Sequence, residues 1–369
     1  MPRNVFEKEK RLKQIFKDER FLYPEHVPQR LPHRDSEIDS MVFALRPVTE
    51  GKKPQNLFLH GKPGTGKTVS ARFVLKELEE FSDRAKTLYI NCFRFNTRHS
   101  ALTEISNFLG MPISRRGTSS DEALDSVLSA FKTIDFTPVI VFDELDQLIQ
   151  EGEASKLFYD LLRVFEFTKG RFGLVLISNN SDSLSRLDAR VKSSLSPETI
   201  AFNPYSVSQL KDVLNERRDF AFLPGAVEKE SIALAAAHAA KFGGDARIAI
   251  EALLKAGRLA EKQNSEFLRP LHLQSVFENI EERPLQKAGP FLSEHERLIL
   301  GLVPAIGKIS SGELFEKFCS ASDSEMTQRR FRSIVSRLET MHLLECSFTG
   351  KGARGRTRMI CLKQPNPKP

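Results

Sequence analysis

The chain has 369 residues, 40% of them hydrophobic, with 55 Lys and Arg against 48 Asp and Glu for a net charge of +7. That length suggests two or three domains. Composition speaks against a membrane span, since no apolar run nears ~18–20 residues. It also speaks against a secretory signal, given the charged opening MPRNVFEKEKRLKQIFKDER, and against a cysteine-bound metal, since Cys92, Cys319, Cys346 and Cys361 lack ligand spacing.

Residues 1–20 read as a mixed-charge arm of poor order, because Phe6, Leu12, Ile15 and Phe16 are sparse apolar anchors. Residues 21–205 read as an α/β base. Apolar strands are expected at 57–59, 87–91, 139–142, 174–178 and near 198–202, with helices between them, the pattern of a parallel sheet with crossover helices. The first strand runs into GKPGTGKT, giving Gly61, Pro63, Gly64, Thr65, Gly66, Lys67 and Thr68, with Val69 following on a helix. This is a phosphate-binding loop of the form G-x-x-x-x-G-K-[ST]. Its glycines let backbone N–H groups approach phosphate oxygens, and the helix adds its positive end. Lys67 is expected at the β- and γ-phosphates and the Thr68 hydroxyl on Mg²⁺, so ATP or ADP with Mg²⁺ is the implied cofactor.

Between the second and third strands, 93–131 holds an insertion. It has two helical stretches, 100–109 and 121–131, joined by the basic loop PISRRGTSS, with Ser120 placed to cap the second helix. The third strand, PVIVFDE, ends in Asp143, expected to reach Mg²⁺ through water, and Glu144, expected to polarise the attacking water. A plain acidic helix cap, followed by an exposed Asp146, is the alternative. The fourth strand ends in Asn179-Asn180, where a parallel sheet exposes its ligand edge. Asn179 is preferred for orienting water, and Asn180 stays open. A turn carrying Arg190 and Lys192 follows.

A helical lid is expected over 206–289, with helices at 208–221, 228–242, 246–264 and 270–282. In GGDAR, Arg247 opens a helix, where a cation opposes the dipole, so an anionic partner explains it better than solvent. Residues 281–290 read as linker. Residues 290–369 read as a winged-helix domain. Its helices are 293–303, led by a Ser293/Glu296 capping box, 311–319 and 327–341, and its strands, 343–347 and 357–362, flank a Gly- and Arg-rich tip. The third helix turns Phe331, Ile334, Val335, Leu338 and Met341 inward. That leaves Gln328, Arg329, Arg332, Ser333, Ser336 and Arg337 for a DNA major groove. The tip, with Lys351, Arg354, Arg356 and Arg358, suits phosphates or a minor groove. Eight basic residues against two acids over 327–358 make the electrostatic footprint. A solvated basic face or a protein-docking winged helix is the alternative.

This ordered set resembles the AAA+ ATPases and, more narrowly, the archaeal origin-recognition initiators of the ORC/Cdc-six type. The narrower match rests on residues 23–34 (YPEHVPQRLPHR), YINC at 89–92, LDARVKSSL at 187–195, GDAR at 244–247 and GARGRTR at 352–358. The resemblance implies a segment beside the adenine that includes Val27, Leu31 and Arg34, and positions around the nucleotide at Tyr205 and Arg217. It implies a sensor amide at Asn179 and a sensor arginine at Arg247. Arg190 becomes a finger acting on a neighbouring subunit. The insert, through Arg115, Arg116 and Thr118, becomes a DNA contact. One departure is Asn179-Asn180, where that family often has Asn-Asp. The implied activity is slow, switch-like ATP hydrolysis governing the binding of double-stranded origin DNA and the recruitment of a replicative helicase, with a second initiator subunit as a further partner. The implied setting is cytoplasmic and nucleoid-associated, with no membrane partner. Competing readings are an AAA+ remodeller, a transposition helper or a transcription regulator. A remodeller's pore loop would need a glycine that CFRF at 92–95 lacks.

Overall fold

Five short strands, β1 (Leu57–His60), β2 (Ala85–Asn91), β3 (Thr137–Asp143), β4 (Gly173–Ser178) and β5 (Glu198–Ala201), pair in parallel in the order β2-β3-β4-β1-β5. This is a computed structural model, described over residues 13–114, 117–168, 171–281, 293–303, 308–322, 326–340, 343–348 and 358–362. The chain divides into two compact units, Met1–Leu273 and Gln274–Pro369.

The central strands β3 and β4 are buried along their whole length, which is why they read as unbroken apolar runs rather than alternating ones. Side chains still alternate between faces. Phe58, Ile90, Ile140, Phe142, Leu174 and Leu176 join the core that holds α3 (Arg98–Phe108), α4 (Ser120–Ala130) and α6 (Ala154–Thr168). Leu57, Leu59, Val139, Val141, Val175 and Ile177 join the core that holds α1 (Asp35–Leu45) and α2 (Lys67–Phe81). All strands run the same way, so their C-terminal ends share one edge. Asn91 pairs in register with Asp143, and His60 with Ser178. Short helices α5 (Leu145–Gln150) and α7 (Ala189–Leu195) follow β3 and β4.

The insertion forms as expected, with one correction. The cap of α4 is Ser119, not Ser120; Ser119 and Glu122 make a capping box. Arg98, at the start of α3, is buried and donates to Asp160 on α6 and Asp121 on α4, pinning the insert to the base.

The lid comprises α8 (Val207–Ala221), α9 (Lys229–Lys241), α10 (Ala246–Lys262) and the start of α11 (Pro270–Glu281). The expectation of a disordered arm up to residue 20 fails from residue 13 onward. Ile15 and Phe16 are buried, Phe16 stacks on Phe222 at 4.6 Å, and the Lys17 N–H donates to the Ala221 carbonyl at 2.8 Å. The Glu261 carboxylate on α10 accepts from the Ile15 N–H at 2.9 Å. Two apolar side chains suffice because the lid supplies the groove. At Gly257 an added Cβ would lie 2.3 Å from the Phe16 ring, so only glycine admits it.

In the second unit, α12 (Glu294–Leu302), α13 (Ser311–Ala321) and α14 (Gln328–Thr340) accompany an antiparallel sheet ordered β6-β8-β7. Its strands are β6 (Ile309–Ser310), β7 (Leu344–Phe348) and β8 (Arg358–Leu362). Ile299, Leu314, Phe318, Phe331, Val335, Leu338 and Ile360 form its core. The Ser293/Glu296 capping box is present as expected. Met341, expected on the inner face of α14, lies outside the described residues.

Candidate nucleotide site and nucleic-acid face

The loop between β1 and α2 turns through left-handed glycines, with φ of 73° at Gly64 and 95° at Gly66. Lys67 folds back over it. Its ammonium donates to the carbonyls of Gly61 (2.7 Å) and Lys62 (2.9 Å) and to the Asn179 Oδ1 (3.0 Å), using all three protons. Burial pulls the Lys67 ammonium down, against the charges of Glu144 and Asp143, which support it. Thr65 is buried, and its hydroxyl donates to the Lys62 carbonyl. Pro63 is exposed and Val69 half-buried.

Asp143 closes β3 beside this loop. Its Oδ2 accepts from the Thr68 hydroxyl at 3.0 Å and from the Tyr89 phenol, and its Oδ1 accepts from the Glu144 N–H at 2.9 Å. Glu144 adopts a left-handed φ of 57°, which swings its side chain out of the strand's alternation. There the Asn179 Nδ2 donates to its Oε2 at 2.7 Å. Burial, then the adjacent Asp143 charge, pushes the Glu144 carboxyl up. Asn179 therefore bridges Lys67 and Glu144. Asn180 instead accepts from the Asp182 N–H in a turn.

Asp146 is not the exposed acid of the alternative, helix-cap reading. It accepts from the Ser178 and Ser183 hydroxyls and from the Asn179 N–H at 2.9 Å, tying the start of α5 to the end of β4. Sequence reasoning missed this residue, although Ser178 before Asn179-Asn180 was the available signal. The oxygen donor set of Thr68 and Asp143 suits Mg²⁺, which takes one or two carboxylates with substrate phosphates rather than an all-protein cage. Among the described residues there is no cluster of three or more His, Cys, Asp or Glu arranged to hold a metal.

The lid closes over the loop through α10. The Ala246 N–H donates to the Gly64 carbonyl at 3.2 Å, and a Cβ on Gly64 would lie 1.7 Å from an Asp245 carboxylate oxygen. Asp245 caps α10 and holds the Arg247 guanidinium at 2.8 Å. Arg247 is thus at the loop, paired rather than open.

Three residues expected around a nucleotide serve the fold as well. Arg34 donates to the carbonyls of Thr65 (2.9 Å) and Asn203 (2.7 Å) and to Glu37, and stacks 4.0 Å over the Tyr205 ring. Arg217 is buried and donates to the Phe21 and His26 carbonyls, bracing the 21–26 segment on the lid. Both guanidinium groups are committed to backbone carbonyls. Tyr205 is buried against Gly66. Val27 and Leu31 are half-buried. Arg190 is exposed, its N–H bonded to Asp188, and its guanidinium has no partner among the described residues.

In the second unit, Gln328, Arg329, Arg330, Arg332 and Ser333 are exposed along α14, and these arginines have no ion-pair partner among the described residues. Arg337 differs, pairing at 3.4 Å with Glu296, whose side chain is 2% exposed. Arg358 is also paired, donating to Glu339 and to the Ser336 hydroxyl; it belongs to β8, not to a free tip. Thr118 is half-buried beside the insert loop. Arg115, Arg116, Lys351, Arg354 and Arg356 lie outside the described residues.

Comparison with known proteins supplies the context. Residues 50–187 match an AAA domain, 211–278 the Cdc6 AAA+ ATPase-type lid domain, and 306–367 the CDC6 C-terminal winged helix domain. The chain is 33% identical to the ORC1-type DNA replication protein of Thermococcus kodakarensis, over 97% of this chain and 91% of that one. It is also 33% identical to ORC1-type DNA replication protein 1 of Archaeoglobus fulgidus, over 98% and 91%. Among solved structures, the Aeropyrum pernix ORC1 protein in complex with DNA superposes with a TM-score of 0.85 at 30% identity, covering 95% of this chain and 94% of that one. Cdc6p from Pyrobaculum aerophilum shares the fold, with a TM-score of 0.66 at 22% identity over 95% of each chain.

Proposed function

The chain belongs to the ORC1/Cdc6 family of AAA+ DNA replication initiators, and from that premise we propose that it binds origin duplex DNA through α14 and its wing under the control of bound ATP. The observation that carries this reading is a convergence. Lys67, Asp143, Glu144 and Asn179, from three separate strand ends, meet at one sheet edge beneath the lid's Arg247. They do so in a chain 30% identical to a protein solved on DNA.

Lys67 would exchange its carbonyl partners for phosphate oxygens. Mg²⁺, held by Thr68 and through water by Asp143, would neutralise charge on the β- and γ-oxygens. Glu144, kept in place by Asn179, would orient the attacking water. Arg247 would leave Asp245 for the γ-phosphate, which couples lid position to nucleotide state. The exposed Arg190 would act on a neighbouring subunit's nucleotide, so an isolated chain turns ATP over slowly. The arginines of α14 would meet the duplex, with the insert around Thr118 as a second contact. The replicative helicase is the implied downstream partner.

The test is selection from sheared genomic DNA of the source organism, with ATP, followed by sequencing of retained fragments. Enrichment at the few sites where replication starts supports the reading. Enrichment spread over promoters would favour a transcription regulator, and absence of enrichment would move the winged helix to protein docking.

A further inference from the structure

Tyr89 stands out as a polar group that the phosphate loop and the two acids leave unexplained. It lies on β2 in register with Val141 of β3, two residues before Asp143, so its ring and the Asp143 carboxylate project to the same face. Helix α2 packs on that face, and two of its residues one turn apart frame the tyrosine. The Thr68 hydroxyl donates to Asp143 Oδ2 at 3.0 Å, and the Arg72 guanidinium lies 4.5 Å over the Tyr89 ring. The Tyr89 phenol donates to that same Oδ2. Oδ1 is held from the other side by the Glu144 N–H at 2.9 Å.

We propose that Tyr89 is a positioning residue for Mg²⁺: together with Thr68 it fixes the rotation of the Asp143 carboxylate, so that the metal's water shell meets a preset acceptor. Half-buried phenols are used in this way because a rigid ring places one strong donor at low entropic cost. Partners one shell out from a metal typically set its affinity by 10–100-fold. The inference rests on the proposal that Thr68 and Asp143 hold Mg²⁺.

The test measures binding of a fluorescent ADP analogue to the full chain, across a Mg²⁺ titration and in EDTA. For Tyr89→Phe the expected result is a Mg²⁺ midpoint raised roughly tenfold, with EDTA affinity and melting temperature unchanged. Arg72→Gln keeps the hydroxyl but frees the ring, and is expected to shift the midpoint the same way by less. This exposed variant reads the effect even if Tyr89→Phe folds poorly. An unchanged midpoint in both variants overturns the proposal. So does an equal loss with and without Mg²⁺, which would assign Tyr89 to packing alone. A wild type indifferent to Mg²⁺ is a different failure, since it removes the metal from Thr68 and Asp143 altogether.

Discussion

The nucleotide edge of the base and the outer face of α14 are both rich in charge, yet they are built in opposite ways. At the edge, the functional side chains are bonded to one another: Lys67 to Asn179, Asn179 to Glu144, Thr68 and Tyr89 to Asp143, and Arg247 to Asp245. On α14, Arg329, Arg330 and Arg332 face solvent without ion-pair partners among the described residues. A catalytic edge needs groups already aimed when substrate arrives. A phosphate-reading face instead needs cations whose charge is not yet spent. The contrast also separates two kinds of arginine. Arg34 and Arg217 are bonded inside the fold, whereas Arg329, Arg330 and Arg332 on α14 are exposed and without ion-pair partners among the described residues.

The largest effect is expected at Lys67. Lys67→Ala should cost nucleotide affinity on the order of a hundredfold or more, since it removes a charge-assisted donor from a buried position. Calorimetric titration with ATP checks this, and near-native affinity would mean that the edge is not a nucleotide site. Next comes the arm that braces the lid. Phe16→Ala should destabilise the protein by about 3 kcal/mol, measured by denaturant unfolding. A loss below 1 kcal/mol would return residues 13–16 to the status of a loose arm.

Arg337 tests the two kinds of arginine directly. Its side chain is 65% exposed, and the buried Glu296 keeps its bonds from the Ser293 N–H and hydroxyl, so Arg337→Ala should cost about 1 kcal/mol of stability. It should also change the salt dependence of DNA binding less than loss of Arg329 or Arg332 does. A larger change would place Arg337 among the open cations.

The smallest effect concerns Glu144. A carboxyl pushed up by burial contributes stability below the ordinary carboxylate range and loses it as pH rises through the raised value. The ionised form is therefore a cost at neutral pH. Glu144→Gln should raise the melting temperature of the nucleotide-free protein by roughly a degree or two at pH 7. The gain should vanish as pH falls through the carboxylate range, and a gain that persists at low pH would assign the effect to packing.

Much of the base could be read from the chain because its strands are buried on both faces. Unbroken apolar runs ending in Asp143-Glu144 and Asn179 place those residues on one edge once the sheet is parallel. The phosphate loop adds the chemistry. Less legible was anything decided by a partner distant in sequence. Two apolar residues in a charged arm look like disorder until the lid groove at Gly257 is present to receive Phe16. Asp146 looks solvated until Ser178 and Ser183 close on it. Arg358 reads as a wing cation until Glu339 comes across from α14. Ser119 displaced Ser120 as the cap because only Ser119 has a glutamate, Glu122, three residues on; Ser120 has Ala123 there, so this capping-box spacing was legible in the sequence.

The measurement that bears most directly on the account is the salt dependence of duplex binding, by fluorescence anisotropy with ATP, for the wild type and for Arg329→Ala combined with Arg332→Ala. If α14 meets phosphates with unspent cations, the double variant should bind more weakly and its log–log salt slope should flatten by roughly 1–2. A slope identical to the wild type, or a wild type that ignores duplex DNA at low salt while still binding ATP, would contradict it.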